Sequence, residues 1–264
     1  MIPAVIMLGV MGGLGLWSTR RLLAPSNAVD TPSPSPATLL LFVLAIAIST
    51  VIQVVGIEAL GISLNAPEDL PSVIAILSLA GLTSTFFALG LARVTGRLSL
   101  ADLGLKQHRG RSPLLLAPAV WVTYLPLFAL VSWGNLEILR FLEIEAESQQ
   151  LVEMFLANNA ARTSPIIWIG AVILIPFAEE LFFRGCLYGG LKSLCSRPVA
   201  MAGSALVFGL LHEPSVALPV TCLGLVLAWL YERTGSLVAP VLLHGLHNGI
   251  QLSLVCLFPE TMAG

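Results

Sequence analysis

Two adjacent carboxylates, Glu179 and Glu180, stand inside a long apolar run. A charged side chain at the centre of a bilayer costs about 2.5–3.5 kcal/mol on insertion scales, so such residues need a reason to be there. Arg184 follows Glu180 at the i,i+4 spacing at which opposite charges pair on a helix. Neighbours on a helix point about 100° apart, so Glu179 is left to face a polar cavity. A buried ion pair therefore explains why Glu180 and Arg184 stand in an apolar run. Glu179 is left as the candidate catalytic residue.

Two later apolar segments carry the other candidate residues. His212 ends one of them, while His244 and Asn248 share a helix face in the other at i,i+4 spacing. His247 points to another part of the same helix surface and is interpreted as structural. A helical rise of about 1.5 Å per residue gives all the candidates a similar depth, roughly 12–21 Å from the inner membrane surface. We therefore expect these side chains and Glu179 to form one pocket.

A carboxylate and two imidazoles can activate water in two ways. In the first, Glu179 is the general base and His212 holds the attacking water. Asn248 and His244 then donate hydrogen bonds to the oxyanion of a tetrahedral intermediate. In the second, Glu179, His212 and His244 bind a divalent metal such as zinc, with a position left open for water. The chain has no HExxH motif, so the sequence leaves both the metal-free and the metal-dependent mechanism open.

The composition explains why these residues are exceptional. Hydrophobic residues make up 56% of the chain and charged residues 11%, whereas soluble domains have about 25% charged residues. Lipid is therefore the expected surroundings, and a net charge of −2 does not favour nucleic acid as a partner. We predict an all-α, polytopic membrane helix bundle with about eight spans. The candidate spans are 2–17, 39–57, 71–92, 113–133, 165–190, 199–212, 216–231 and 237–257.

The distribution of basic residues supports this count. With the N-terminus outside, eleven of the thirteen lysines and arginines fall on the inner side, as the positive-inside rule expects. Within this single membrane unit we distinguish an N-terminal region, 1–164, from a catalytic bundle, 165–264. The polar connection between them contains a predicted amphipathic surface helix around 136–156. Gly245 and Gly249 are expected to let α-helices approach closely.

The three late motifs resemble those of a known family. They read EExxxR at Glu179–Arg184, FxxxH at Phe208–His212 and HxxxN at His244–Asn248, in this order on successive hydrophobic segments. This pattern is similar to that of the CAAX-protease and bacteriocin-processing (CPBP, or Abi) family of intramembrane endopeptidases. The resemblance covers about residues 165–252.

The resemblance implies a helical membrane fold with a central cavity and endoproteolysis near a membrane face. By position, Glu179 looks like the glutamate that activates water and His212 like its partner on that water. His244 and Asn248 look like the residues that bind the substrate carbonyl and oxyanion, with Glu180 and Arg184 in support. The implied partners are the bilayer and a peptide or protein substrate, lipidated or not. The short chain resembles bacterial members, which implies the bacterial inner membrane and an active site nearer the cytoplasmic side.

Two other functions fit intramembrane glutamate and histidine residues. A proton-coupled transporter also uses such residues, but it would show related polar positions in an inverted repeat, and the unusual residues all lie in one half of the chain. A non-catalytic membrane scaffold or immunity protein could keep the fold without the chemistry. The intact set of motif residues favours the protease.

Overall fold

The computed structural model describes residues 36–95, 104–105, 112–144 and 150–259, and these residues form helices and connections without a strand. The helices are α1 (Ala37–Ala59), α2 (Leu70–Thr95), α3 (Pro113–Phe141), α4 (Gln150–Ala157), α5 (Pro165–Leu191), α6 (Arg197–Leu210), α7 (Ala217–Thr234) and α8 (Val238–Leu257). The prediction of an all-α membrane bundle is therefore confirmed.

Five described helices are long and apolar enough to cross a membrane, namely α1, α2, α3, α5 and α8. Helix α6 is apolar but shorter. The predicted count of eight spans is not confirmed, and the first predicted span, 2–17, lies outside the described residues. The division into regions 1–164 and 165–264 likewise stays a prediction.

Local sequence sets several helix ends. Helices α3 and α5 each begin at a proline, which suits a first turn because it lacks an amide hydrogen that the helix could not use there. The predicted surface helix around 136–156 is wrong as a single element, because α3 continues to Phe141 and α4 begins at Gln150. Glu143, just after α3, has φ of 55°, a left-handed conformation that a right-handed helix cannot contain.

The helices meet at two polar ends. We call one the loop end, where the α1–α2 turn, helix α4 and the α6–α7 turn lie together. We call the other the basic end, where Lys192 and Arg197 meet Glu232 of α7. Between the two ends, apolar side chains fill the bundle.

Helix α5 runs through the middle of this bundle and contacts α1, α2, α6 and α8. Two stretches of it, Gly170–Leu174 and Leu181–Tyr188, have π-helical hydrogen bonding. Such insertions locally change which way side chains and carbonyls point, and they are frequent at functional sites. Glu179 and Glu180 lie on the short α-helical stretch Ile175–Glu180 between the two.

Candidate active site

The site is built around a carboxylate that solvent cannot reach. The side chains of Glu180 and Arg184 both have 0% exposure, and Arg184 Nη1 lies 2.8 Å from Glu180 Oε1. Arg184 Nη2 also donates to the carbonyl oxygen of Gly224 on α7, at 3.1 Å. The pair predicted from the i,i+4 spacing is therefore present, and it ties α5 to α7.

His244 contacts both adjacent carboxylates. Its Nδ1 lies 2.9 Å from Glu180 Oε1, and its Nε2 lies 3.6 Å from Glu179 Oε2. A carboxylate accepts hydrogen bonds, so we assign the Nδ1 hydrogen as the one donated to Glu180. This leaves Nε2 as the atom that faces Glu179. The contact between Glu180 and His244 was missed from sequence, because the two residues are 64 positions apart and share no spacing rule.

Glu179 has a different environment from its neighbour. Its side chain is 28% exposed, whereas that of Glu180 is fully buried. The helix geometry predicts this difference, since consecutive residues point in different directions. Of the two carboxylates, Glu179 is thus the one that water and substrate can reach.

His212 lies in the turn after α6, two residues beyond its end at Leu210. The sequence predicts it within the sixth span; Pro214 limits the helix, because proline lacks the N–H that would donate to the carbonyl oxygen of Leu210 four residues earlier. His212 Nδ1 lies 2.8 Å from the carbonyl oxygen of Phe208, to which it donates, so Nε2 remains for other partners.

The ring of Phe208 connects His212 to the rest of the site. Its centroid lies 4.9 Å from that of His212 and 5.8 Å from that of His244. The guanidinium carbon of Arg184 lies 4.7 Å from the same centroid, in cation–π range. His212 is therefore joined to the carboxylate cluster through an aromatic side chain and not by a direct contact.

Asn248 is held by the backbone of α5. Its Nδ2 donates to the carbonyl oxygen of Ala171, in the first π-helical stretch, at 3.0 Å. One turn earlier, a Cβ added to Gly245 would collide with the carbonyl oxygen of Val172, so the expected close helix approach is present there. The amide keeps a second N–H that this contact does not use.

The predicted metal ligands do not gather into a metal site. Among the residues that the structure describes, no group of three or more His, Cys, Asp or Glu side chains is placed to hold an ion. Glu179 and His244 face each other, but His244 Nδ1 is directed to Glu180, and His212 joins them only through Phe208. We therefore derive no reaction step through a metal.

His247 lies apart from these residues, as expected. It is 7% exposed and packs edge-on against Phe128, with ring centroids 4.8 Å apart, and near Tyr124 at 6.0 Å. These contacts belong to the interface between α3 and α8. They fit the structural interpretation of this histidine.

At the basic end, Glu232 anchors the last turns of α5. Its carboxylate accepts a hydrogen bond from Tyr188 Oη at 2.7 Å and pairs with Lys192 Nζ at 3.0 Å and Arg197 Nε at 3.2 Å. Burial raises the pKa of Glu232, but the hydrogen bonds from Tyr188 and Lys192 and the two positive charges outweigh it, so its pKa lies below the ordinary 4.5. This cluster joins α5, α6 and α7 at the opposite end from His212.

Comparison with known families bears on the same helices. The family model described as "Type II CAAX prenyl endopeptidase Rce1-like" matches residues 161–250. Residues 161–250 are therefore similar to this family. The match spans all three motifs, so the resemblance to CAAX proteases stated from the motifs is confirmed. No curated protein and no solved structure matches the chain.

The Rce1-like match supports a CAAX-type intramembrane protease that acts on protein or peptide substrates at the membrane. Together with the five apolar helices, it supports an integral membrane protein. That the active site lies nearer the cytoplasmic side of the membrane stays a prediction. His212 follows the end of α6 that lies away from Arg197.

Proposed function

We propose that the chain is an intramembrane endopeptidase that uses Glu179 to activate water. The observation that supports this most is the position of His244 between two adjacent carboxylates, one fully buried and one partly exposed. A purely structural pair needs Glu180 and Arg184 but not a histidine that turns its second nitrogen toward a partly exposed glutamate. This arrangement fits a general base with a positioned partner.

In the proposed reaction, Glu179 takes a proton from a water molecule as the water oxygen attacks the scissile carbonyl carbon. His212 holds that water through its Nε2. The resulting oxyanion accepts hydrogen bonds from the second N–H of Asn248 and from the Nε2–H of His244, which in this step carries hydrogens on both ring nitrogens. The carbon–nitrogen bond then breaks, and Glu179 returns its proton to the leaving amine.

Glu180 is proposed as a positioning residue. It accepts the Nδ1 hydrogen of His244, which fixes the ring orientation, and Arg184 holds the Glu180 carboxylate in place. Positioning by a buried, hydrogen-bonded neighbour is how enzymes hold reacting groups within a fraction of an ångström. The metal-dependent mechanism stays open as a chemical alternative, but the described side chains supply only part of a ligand set.

The experiment uses purified protein in lipid vesicles and a pool of synthetic membrane-anchored peptides, some ending in an isoprenylated cysteine. Mass spectrometry identifies cleaved peptides. Glu179→Gln and His212→Ala are each expected to lower the cleavage rate by about 10²–10⁴-fold, the usual contribution of general acid–base groups. Both variants should unfold at the wild-type temperature, since Glu179 is partly exposed and His212 lies in a turn.

Glu58→Gln is the matched control, because this exposed glutamate is remote in sequence from all three motifs and loses the same charge. Cleavage by Glu179→Gln at the wild-type rate would show that this carboxylate is not the base. Cleavage that stops on chelation and returns with zinc would favour the metal-dependent mechanism.

A further inference from the structure

A cavity of about 880 Å³ lies at the loop end of the bundle. Its walls come from three segments that are far apart in the sequence: the α1–α2 turn, helix α4 and the α6–α7 turn. The volume falls within the range of about 300–1,000 Å³ that is typical of ligand sites. The residues that line it include Asn65, Gln150, Glu153, Met154, Glu213 and Ser215.

Hydrogen bonds between the segments hold the cavity walls together. The backbone N–H of Gln150 donates to Glu213 Oε1 at 3.3 Å, and Gln150 Nε2 donates to Asn65 Oδ1 at 3.0 Å. Asn135, which is 3% exposed, donates to the carbonyl oxygens of Pro214 at 3.1 Å and Ser215 at 2.8 Å. The cavity is therefore a built feature, in which a buried side chain fixes the α6–α7 turn.

The cavity is next to the candidate active site. Glu213, in its wall, directly follows His212 in the chain. His212 in turn contacts Phe208, whose ring also touches His244. The turn that forms one wall of the cavity therefore also carries a residue of the candidate active site.

The lining chemistry favours positive charge. Glu153 and Glu213 contribute carboxylates, and no lysine or arginine is among the described residues that line the cavity. Glu68 and Asp69 follow the lining residue Pro67 on the same end. An acidic concave surface concentrates cationic ligands.

We propose that this cavity binds a positively charged segment of the peptide substrate, a lysine or arginine side chain or a free amino terminus, beside the bond to be cleaved. The proposal rests on the proposed protease function and specifies its substrate class. Glu153 and Glu213 set the preference by charge, while Met154 supplies apolar contact for the aliphatic part of such a side chain.

The test compares matched synthetic peptides that share an apolar membrane segment and differ only in lysines replaced by glutamines. Wild-type protein in neutral lipid vesicles should have the higher kcat/KM for the lysine peptide, and added salt should reduce the difference. Glu153→Gln and Glu213→Gln should each lower the ratio of kcat/KM values by about two- to five-fold, as expected of solvent-exposed charge pairs. Glu58→Gln, with the same charge change outside the cavity, should leave the ratio unchanged.

Binding is measured separately in the Glu179→Gln background, by fluorescence anisotropy with the same labelled peptides. Tighter binding of the lysine peptide that weakens with Glu213→Gln would uphold the cavity proposal even if no peptide were cleaved, in which case the protease function would fail alone. Equal cleavage and equal binding of the two peptides, unchanged by either cavity variant, would overturn the cavity proposal and leave the protease function standing.

Discussion

Removal of the buried carboxylate of Glu180 should strongly lower the free energy of unfolding, although Glu180 is not the proposed base. Glu180 accepts hydrogen bonds from Arg184 at 2.8 Å and from His244 at 2.9 Å, and both Glu180 and Arg184 are fully buried. Glu180→Leu would leave the Arg184 charge without its paired carboxylate in an apolar interior. Breaking a buried pair in this way costs about 3–5 kcal/mol. This is a large share of the roughly 5–15 kcal/mol that stabilises a typical native protein.

The double variant Glu180→Leu/Arg184→Met separates stability from activity. Replacing both charges by apolar side chains of similar volume is often neutral or stabilising, so the double variant should recover most of the lost stability. Its cleavage activity should nevertheless stay lost, because His244 Nδ1 then has no acceptor to fix its ring.

Stability is measured by reversible unfolding in mixed micelles followed by circular dichroism, and activity with the peptides cleaved by wild type. The exposed pair Glu137–Arg140, with side chains 43% and 70% exposed, is the control: Glu137→Leu should cost only about 0.2–1 kcal/mol. Equal instability of the single and double variants would refute the uncompensated charge as the cause. Full activity in the double variant would refute the positioning role of Glu180.

Two further predictions concern the elements that frame the site. Because the pKa of Glu232 is lowered in the folded state, its stabilising contribution is complete above its ordinary pKa of 4.5 and is lost as the pH falls through the lowered value. As the pH falls below 4.5, the melting temperature should decline in the wild type and decline less in Glu232→Gln. Parallel pH profiles of the two proteins would disprove this contribution of Glu232. Gly245→Ala should cost about 1–3 kcal/mol, because the added methyl group collides with the Val172 carbonyl. Gly249→Ala, whose Cβ would meet Val172 at an ordinary 3.6 Å, should unfold near the wild-type temperature.

Local spacing was sufficient to predict part of the site. The Glu180–Arg184 pair and the close approach at Gly245 follow from rules that connect residues within one helix or along one helix face. The different exposure of Glu179 and Glu180 follows from helix geometry in the same way. These features depend on few neighbours, so a sequence pattern is enough to predict them.

The other contacts of the site depend on tertiary packing. Sequence spacing gave no reason to pair Glu180 with His244, or to give Asn248 a backbone carbonyl of α5 as its partner. Comparable depth suggested that His212 joins the carboxylates directly, but an intervening aromatic ring, Phe208, separates them. Depth along a helix fixes one coordinate only, and rotation of each helix about its axis decides which side chains meet.

The fact that Glu180 and Arg184 pair within a single helix also bears on how the protein is made. An i,i+4 pair can form as soon as α5 is helical, before α6, α7 and α8 have left the ribosome. The nascent segment then enters the bilayer with two of its charges already neutralising each other, which lowers the cost of its partition into lipid. Glu179 has no such local partner and meets His244 only when the last helix arrives. During biogenesis, Glu179 is thus the last charged residue of α5 to gain a contact.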